Sequence, residues 1–303
     1  MELAHISQSQ YKLSLQERIC DVDLGVLILD GPTGTELAAR GFDVDQPGWS
    51  ARVLVEDPDL LLQVHRDYII AGADILTANT FRTHEKNLES WGQPGRSEEL
   101  TLQAIQIARD AAQGKAYVVS SLAPVGDCYS PEDVPGRKYL IRAHQQMAQY
   151  MAKADVDAVL VETHVSCEEL VIACEAVKEV GLRVIVSVPI TSERTMFDGT
   201  SLKQMVASVE KFSPLAVGLN CLPVEEVNFA LDEMNQASAF PKIVYANSGR
   251  MLANHQWEPT CGANPDQHTE LAKSWIQKNV RILGGCCGTT PALIAKFTEQ
   301  LKP

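Results

Sequence analysis

Short apolar, β-branched runs recur along this chain, and each is separated from the next by a longer segment of helical periodicity. That alternation is the strongest constraint on the fold. The runs end near Asp30 (VLILD), Ala78 (DILTA), Ser121 (YVVSS), Glu162 (AVLVE), Pro189 (VIVSVP), Asn220 (AVGLN), Ala246 (KIVYA) and Gly285 (RILGG). Eight such units predict an α/β protein with a closed (β/α)8 TIM barrel, an open doubly wound sheet being the alternative. In a barrel every strand points its carboxyl end at one rim, where functional groups gather. The 303 residues fit one barrel domain spanning 1–303.

Boundary signals agree with this division. Asp57-Pro58 opens LLLQVHRDYIIA ahead of Gly72; Ser166-Cys-Glu-Glu169 reads as a capping box before LVIACEAVKEV; Thr290-Pro291 caps ALIAKFTEQL. Asp127 to Lys138 reads as a long loop after the third strand. Hydrophobic residues at 45% suffice for a large core, while the net charge of -13 would repel phosphate backbones, so nucleic acid is not an expected partner. The amino-terminal segment has no basic start followed by an apolar run, and no stretch matches a membrane span. A cytoplasmic protein without a membrane partner is expected, and homo-oligomerisation is compatible with the sequence.

Polar residues and glycines follow the expected strands: Asp30-Gly31, Thr77 and Asn79, Ser120-Ser121, Glu162-Thr163, Ser187, Asn220-Cys221, Asn247-Ser248 and Cys286-Cys287. Turn punctuation accounts for about half of these. It does not account for a carboxylate closing AVLV or for two adjacent thiols after RILGG. Of the eight cysteines, Cys20, Cys128, Cys167, Cys174 and Cys261 read as small buried apolar residues. Cys286-Cys287, flanked by Gly284, Gly285 and Gly288, could bend toward one point or form a redox pair. Cys221, across the rim, would complete three sulfur ligands with a fourth position open, the catalytic form of a zinc site. His164 is the residue that could close that position. The run Asp30-Gly-Pro-Thr-Gly-Thr-Glu36 lacks the marks of a nucleotide loop and could instead offer N–H groups to a substrate carboxylate.

In this order, LILDGPTGTEL, AGADILTANTF, VLVETH, VGLNC, VYANSG and ILGGCCGTTP resemble the homocysteine S-methyltransferase family over nearly the whole chain. The resemblance implies a (β/α)8 barrel. It implies Zn2+ on Cys221, Cys286 and Cys287, with homocysteine sulfur as fourth ligand. It also implies that Glu162, with Thr163, meets the substrate amino group, that Asp30-Gly31 holds the amino-acid end, and that Asn220 supports this side. Trp49, Phe81, Arg82 and Asn247 fall to the donor pocket. The implied reaction is an in-line displacement, in which a thiolate attacks a methyl group on a cationic sulfur or nitrogen.

The chain departs from the family around the donor. Ser120-Ser-Leu-Ala-Pro124 keeps the proline but not the glycine of the Ser-x-Gly-Pro turn found in sulfonium-using relatives, and Thr80-Phe81-Arg82 matches neither the betaine nor the S-methylmethionine pattern. The expected activity is methyl transfer from S-methylmethionine or S-adenosylmethionine, ahead of betaine, to homocysteine. Two alternatives are a corrinoid or folate partner protein as donor and a non-catalytic zinc-binding barrel.

Overall fold

The structure is a computed structural model that describes residues 13–128, 130–251 and 257–302. Its strands are β1 Leu27–Ile28, β2 Ile75–Ala78, β3 Tyr117–Leu122, β4 Ala158–Glu162, β5 Val184–Val188, β6 Val217–Pro223, β7 Lys242–Asn247, β8 Gly249–Met251, β9 Trp257–Pro259 and β10 Val280–Gly285. The helices before and after the first strand are α1 Leu15–Cys20, α2 Thr33–Ala39, α3 Val53–Glu56 and α4 Pro58–Ala71. Those that follow are α5 Glu85–Glu89, α6 Ser97–Ala112, α7 Arg137–Lys153, α8 Cys167–Glu179, α9 Leu202–Val209, α10 Val224–Ala237, α11 Pro265–Ile276 and α12 Pro291–Leu301.

Eight strands form one parallel sheet in the order β1-β10-β7-β6-β5-β4-β3-β2. Parallel pairing of Leu29 with Ile75, reinforced by the Asp30 N–H donating to Ile75 O at 3.0 Å, closes the sheet. The result is the expected barrel and not an open sheet. Side-chain parity then divides the strands. Leu27, Leu29, Ile75, Val119, Leu160, Ile185, Ile243 and Ile282 pack together inside the barrel, whereas Ile28, Leu76, Val118, Val159, Val186, Val244 and Leu283 pack among the helices. Leu15 and Ile19 of α1 join the inner cluster, and Arg281 holds that segment by donating to the carbonyls of Ile19, Asp21 and Gly25.

Several local expectations change. Ser166 caps α8 by accepting from the Glu169 N–H at 3.5 Å, but the Glu169 carboxylate does not return to Ser166: it accepts from Val125 N–H and His144 instead. Tertiary partners outcompete the local box. Thr290 occupies the cap position of α12 without a side-chain hydrogen bond, leaving Pro291 as the start signal. The loop after β3 contains a short turn, Pro131–Asp133, and α7 begins at Arg137. The antiparallel pair β8–β9 was not anticipated, because three residues per strand are too few to show periodicity.

Candidate active site

Parity explains how a carboxylate comes to be inside the barrel. Ala158 and Leu160 point inward, so Glu162 does too, one layer nearer the rim. Ser121 donates a short hydrogen bond to its Oε1, and Tyr245 donates to Oε2 at 2.7 Å. Burial pushes the Glu162 carboxyl above its ordinary range against those two donors. Tyr245 escaped the sequence reading, although Ile243 facing inward implied it.

Asp30, just past β1, accepts from the Thr77 N–H at 2.8 Å and the Thr77 hydroxyl at 2.9 Å. Burial outweighs both donors, and with the nearby Glu162 charge it pushes the Asp30 carboxyl up to about 8. Two buried carboxylates whose described partners are neutral donors form a pocket that gains from an arriving cation. Gly31 is required by close packing, since a Cβ there would lie 2.6 Å from the Tyr68 hydroxyl oxygen.

Cys221, near the end of β6, has φ +56, and Thr163, just past β4, has φ +64. Left-handed backbone is costly for a thiol-bearing residue and more so for a β-branched one, so both turns are held by their surroundings. Asn220 contributes by donating to the Thr163 hydroxyl at 2.9 Å, its own Oδ1 remaining buried without a partner. On the other side, Cys286 N–H donates to Ala246 O, and Thr289 donates through N–H and hydroxyl to Cys286 O. Glycine serves two purposes here. Gly288 has φ +75, whereas Gly284 and Gly285 stay in β10, where a Cβ would strike Asp30 O at 2.8 Å and the Thr289 hydroxyl at 2.1 Å. The bend expected of all three belongs to Gly288.

These turns bring the Sγ atoms of Cys221, Cys286 and Cys287 within 4.8 Å of one another, Cys221 and Cys286 being 2.9 Å apart. Hydrogen bonds from Cys221 and then Cys286 hold the Cys287 thiol well below its usual range. Donation to its neighbours and burial push Cys221 well above it; at Cys286 the hydrogen bond from Cys221 lowers the thiol, but Cys287 and burial together push it well above. Such a trio stabilises one thiolate unaided and needs a cation to stabilise more. It suits zinc: the donors are soft and convergent, Cys286 is buried and Cys221 and Cys287 are half-buried, and tetrahedral zinc with sulfur at about 2.3 Å would widen the 2.9 Å Cys221–Cys286 separation to about 3.8 Å. Among the described residues no histidine joins this group. His164 instead donates from Nε2 to Leu122 O at 3.1 Å and neighbours His144 and Glu169.

Of the residues assigned to a donor pocket, Trp49, Phe81 and Arg82 lie together and Asn247 lies on β7. Trp49 and Phe81 meet edge to face with ring centroids 5.6 Å apart. The Trp49 turn is pinned to the end of β2 by a reciprocal pair, Ser50 hydroxyl to Asn79 Oδ1 and Asn79 Nδ2 to Ser50 O, both 2.9 Å. Arg82 donates to Gly126 O at 2.9 Å, reaches Cys128 Sγ at 3.8 Å and stacks 5.3 Å from the Phe81 centroid. Its donors are spent on the loop after β3. Asn247 sits at the end of β7, in register with Pro223 two residues past Cys221. Of the remaining cysteines, Cys128 and Cys174 are buried as expected, Cys167 and Cys261 are half-buried, and Cys20 is exposed because it ends α1 at the surface.

Residues 27–301 match the homocysteine S-methyltransferase family. The homocysteine S-methyltransferase of Escherichia coli strain K12 is 28% identical over 295 residues, covering 91% of this chain and 95% of that protein. The selenocysteine Se-methyltransferase of Brassica oleracea var. italica is 27% identical over 309 residues, covering 91% of this chain and 89% of that one. Among solved structures, the metallated form of the E. coli homocysteine methyltransferase MmuM superposes with a TM-score of 0.80 at 27% identity, over 91% of this chain and 96% of that one.

Proposed function

The chain belongs to the homocysteine S-methyltransferase family, and from that premise we propose that Cys221, Cys286 and Cys287 hold zinc and that the enzyme methylates homocysteine from a small sulfonium donor. The convergence of the three sulfurs at the rim carries this reading. Zinc bound there supplies the positive charge that keeps an acceptor sulfur ionised at neutral pH.

The protein's own groups do the positioning. Glu162, oriented by Ser121 and Tyr245, and Asp30, oriented by Thr77, present negative charge to the acceptor's ammonium group. An ammonium bound beside them restores the ionised carboxylates that burial disfavours. Asn220 and Thr163 lock the turn that aims Cys221. With the acceptor fixed at both ends, the chain contributes orientation and exclusion of water, which suffice for an in-line displacement.

On the donor side, S-methylmethionine and S-adenosylmethionine stand ahead of betaine. Arg82 is held by Gly126 O, Cys128 and the Phe81 ring, which fix the direction of its guanidinium toward the loop after β3. Trp49 offers the rim aromatic whose π-system favours a cation. Purified zinc-loaded protein, incubated with homocysteine and each of S-methylmethionine, S-adenosylmethionine, betaine and a methylcorrinoid, should form methionine fastest with a sulfonium. Methionine from the methylcorrinoid alone would overturn the donor assignment, and none from any donor would overturn the function.

A further inference from the structure

Behind the rim, between the strand ends and α7 and α8, four side chains from separate parts of the chain form a second cluster that the methyltransferase reading does not use. His84, His144, His164 and Glu169 are at most 1% exposed. One ligand atom each from His144, His164 and Glu169 lies within 4.8 Å of the other two. His144 Nε2 and Glu169 Oε1 are 3.0 Å apart, close to the separation of about 3.3 Å between two ligands on a tetrahedral metal with nitrogen and oxygen at about 2.0–2.1 Å. Ring centroids are 5.3 Å apart for His84–His144 and 5.6 Å for His144–His164. Imidazoles sharing one tetrahedral ion stand about 5 Å apart by the same geometry.

The hydrogen bonds around the cluster settle which nitrogens are available. His164 Nε2 and His84 Nε2 face the carbonyl oxygens of Leu122, at 3.1 Å, and Ala123, at 2.9 Å, which only accept. Both must therefore carry their protons on Nε2 and present bare Nδ1 lone pairs. Those Nδ1 atoms, His144 Nδ1 and Glu169 Oε2 are buried without hydrogen-bond partners. Backbone carbonyls that fix the far nitrogen of an imidazole are the usual outer shell of a metal-binding histidine. A buried carboxylate with one oxygen unpaired lacks compensating charge, and a cation would provide it.

A cavity borders the cluster at His84. It measures about 320 Å³ and is lined by His84, Val125 and Met147, with Glu85, Glu89 and Arg142 among its other walls. Val125 also donates its N–H to Glu169 Oε1 at 2.8 Å, so the cavity wall and the cluster are one network.

We propose that His144, His164 and Glu169, flanked by His84, form a second site for a divalent first-row transition metal, with zinc as its occupant, separate from the three cysteines. Two imidazoles and a carboxylate favour such ions over calcium or magnesium. The ion replaces the hydrogen bond along the His144–Glu169 edge: it binds His144 Nε2, and the single ring proton moves to Nδ1, so the imidazole stays neutral and no net proton is released. All three ligands are wholly buried, so the role is structural. The ion ties the segments after β2, β3 and β4 together where Arg82 holds the loop after β3.

Metal analysis of tag-free full-length protein, loaded with excess Zn2+ and desalted against a weak chelator, tests this. Two zinc per chain are expected in the natural protein. One is expected in the Cys221→Ala/Cys286→Ala/Cys287→Ala variant, with X-ray absorption showing only nitrogen and oxygen neighbours. His144→Gln should keep one zinc surrounded by sulfur. A triple variant that is folded by circular dichroism and binds no zinc would overturn the proposal, as would a second zinc that survives His144→Gln. Should the triple variant aggregate, X-ray absorption of the natural protein decides: the proposal predicts about half the sulfur neighbours per zinc that a lone three-cysteine site shows. Because the cysteine variant isolates the histidine cluster, failure here is distinguishable from failure of the catalytic zinc reading.

Discussion

At the scale of single residues, position at the rim separates functional thiols from the rest, and residue type alone does not. Cys261 bonds to Glu225 at the surface, whereas Cys286 sits among sulfurs. Cys286→Ala should therefore lose zinc and activity together, and Cys261→Ala neither, with metal content and methionine formation as the two readouts. Retained stoichiometric zinc at the thiol site in Cys286→Ala would refute the ligand assignment. Glu162→Gln removes a charge from a buried pocket, an interaction worth about 1.5–3 kcal/mol, so the KM for homocysteine should rise roughly 10- to 150-fold with a smaller change in kcat. Tyr245→Phe should shift the same constant less, because Ser121 still orients the carboxylate. The motif residues of this site were legible from sequence. Tyr245 was legible only through strand parity, and His84, His144 and Glu169 were not, because no spacing links residues that four different segments deliver.

At the scale of elements, strand ends were readable to within a few residues because each apolar run is short and stops at a polar or glycine residue. Caps were readable where the chemistry is local: Asp57 accepts from the Leu60 N–H at 3.1 Å, and Gly72 ends the same helix at φ +98. The Ser166 box was half wrong because Glu169 found partners on other elements. Ser166→Ala should still cost about 1 kcal/mol of stability, since the Glu169 N–H loses its acceptor. Strand contact imposes a sharper limit at Gly218, where a Cβ would lie 1.7 Å from Ile243 O in the neighbouring strand. Gly218→Ala must spread β6 from β7, carrying Cys221 with it. Urea titration should show a loss of about 3 kcal/mol or more, and a near-neutral effect would contradict the register described here.

At the scale of the whole molecule, pH reads the buried titratable groups together. Burial pushes His84 and His144 down to about 3 and His65, His164 and His268 to about 4. An imidazole with a depressed folded value contributes stability that is complete above its unfolded value of about 6.5 and is lost as pH falls. Asp30 and Glu162, raised by burial, act oppositely, because they bind protons in the folded chain where the unfolded chain does not. Five groups outweigh two, so the urea midpoint of metal-free protein should climb from pH 4 to a maximum near neutrality, about pH 6.5–7. A higher midpoint at pH 5 than at pH 7 would reverse this assignment. The sequence by itself determined the barrel, its eight strands and the identity of the rim residues, because hydrophobic period and strand-end chemistry are local properties of the chain. Only the tertiary structure decided that His164 joins His144 and Glu169 instead of the cysteines, that Arg82 is spent on the loop after β3, and that Glu169 abandons its cap. Those outcomes depend on which distant groups close the barrel's buried hydrogen bonds, and a buried polar atom takes whatever partner the packing brings.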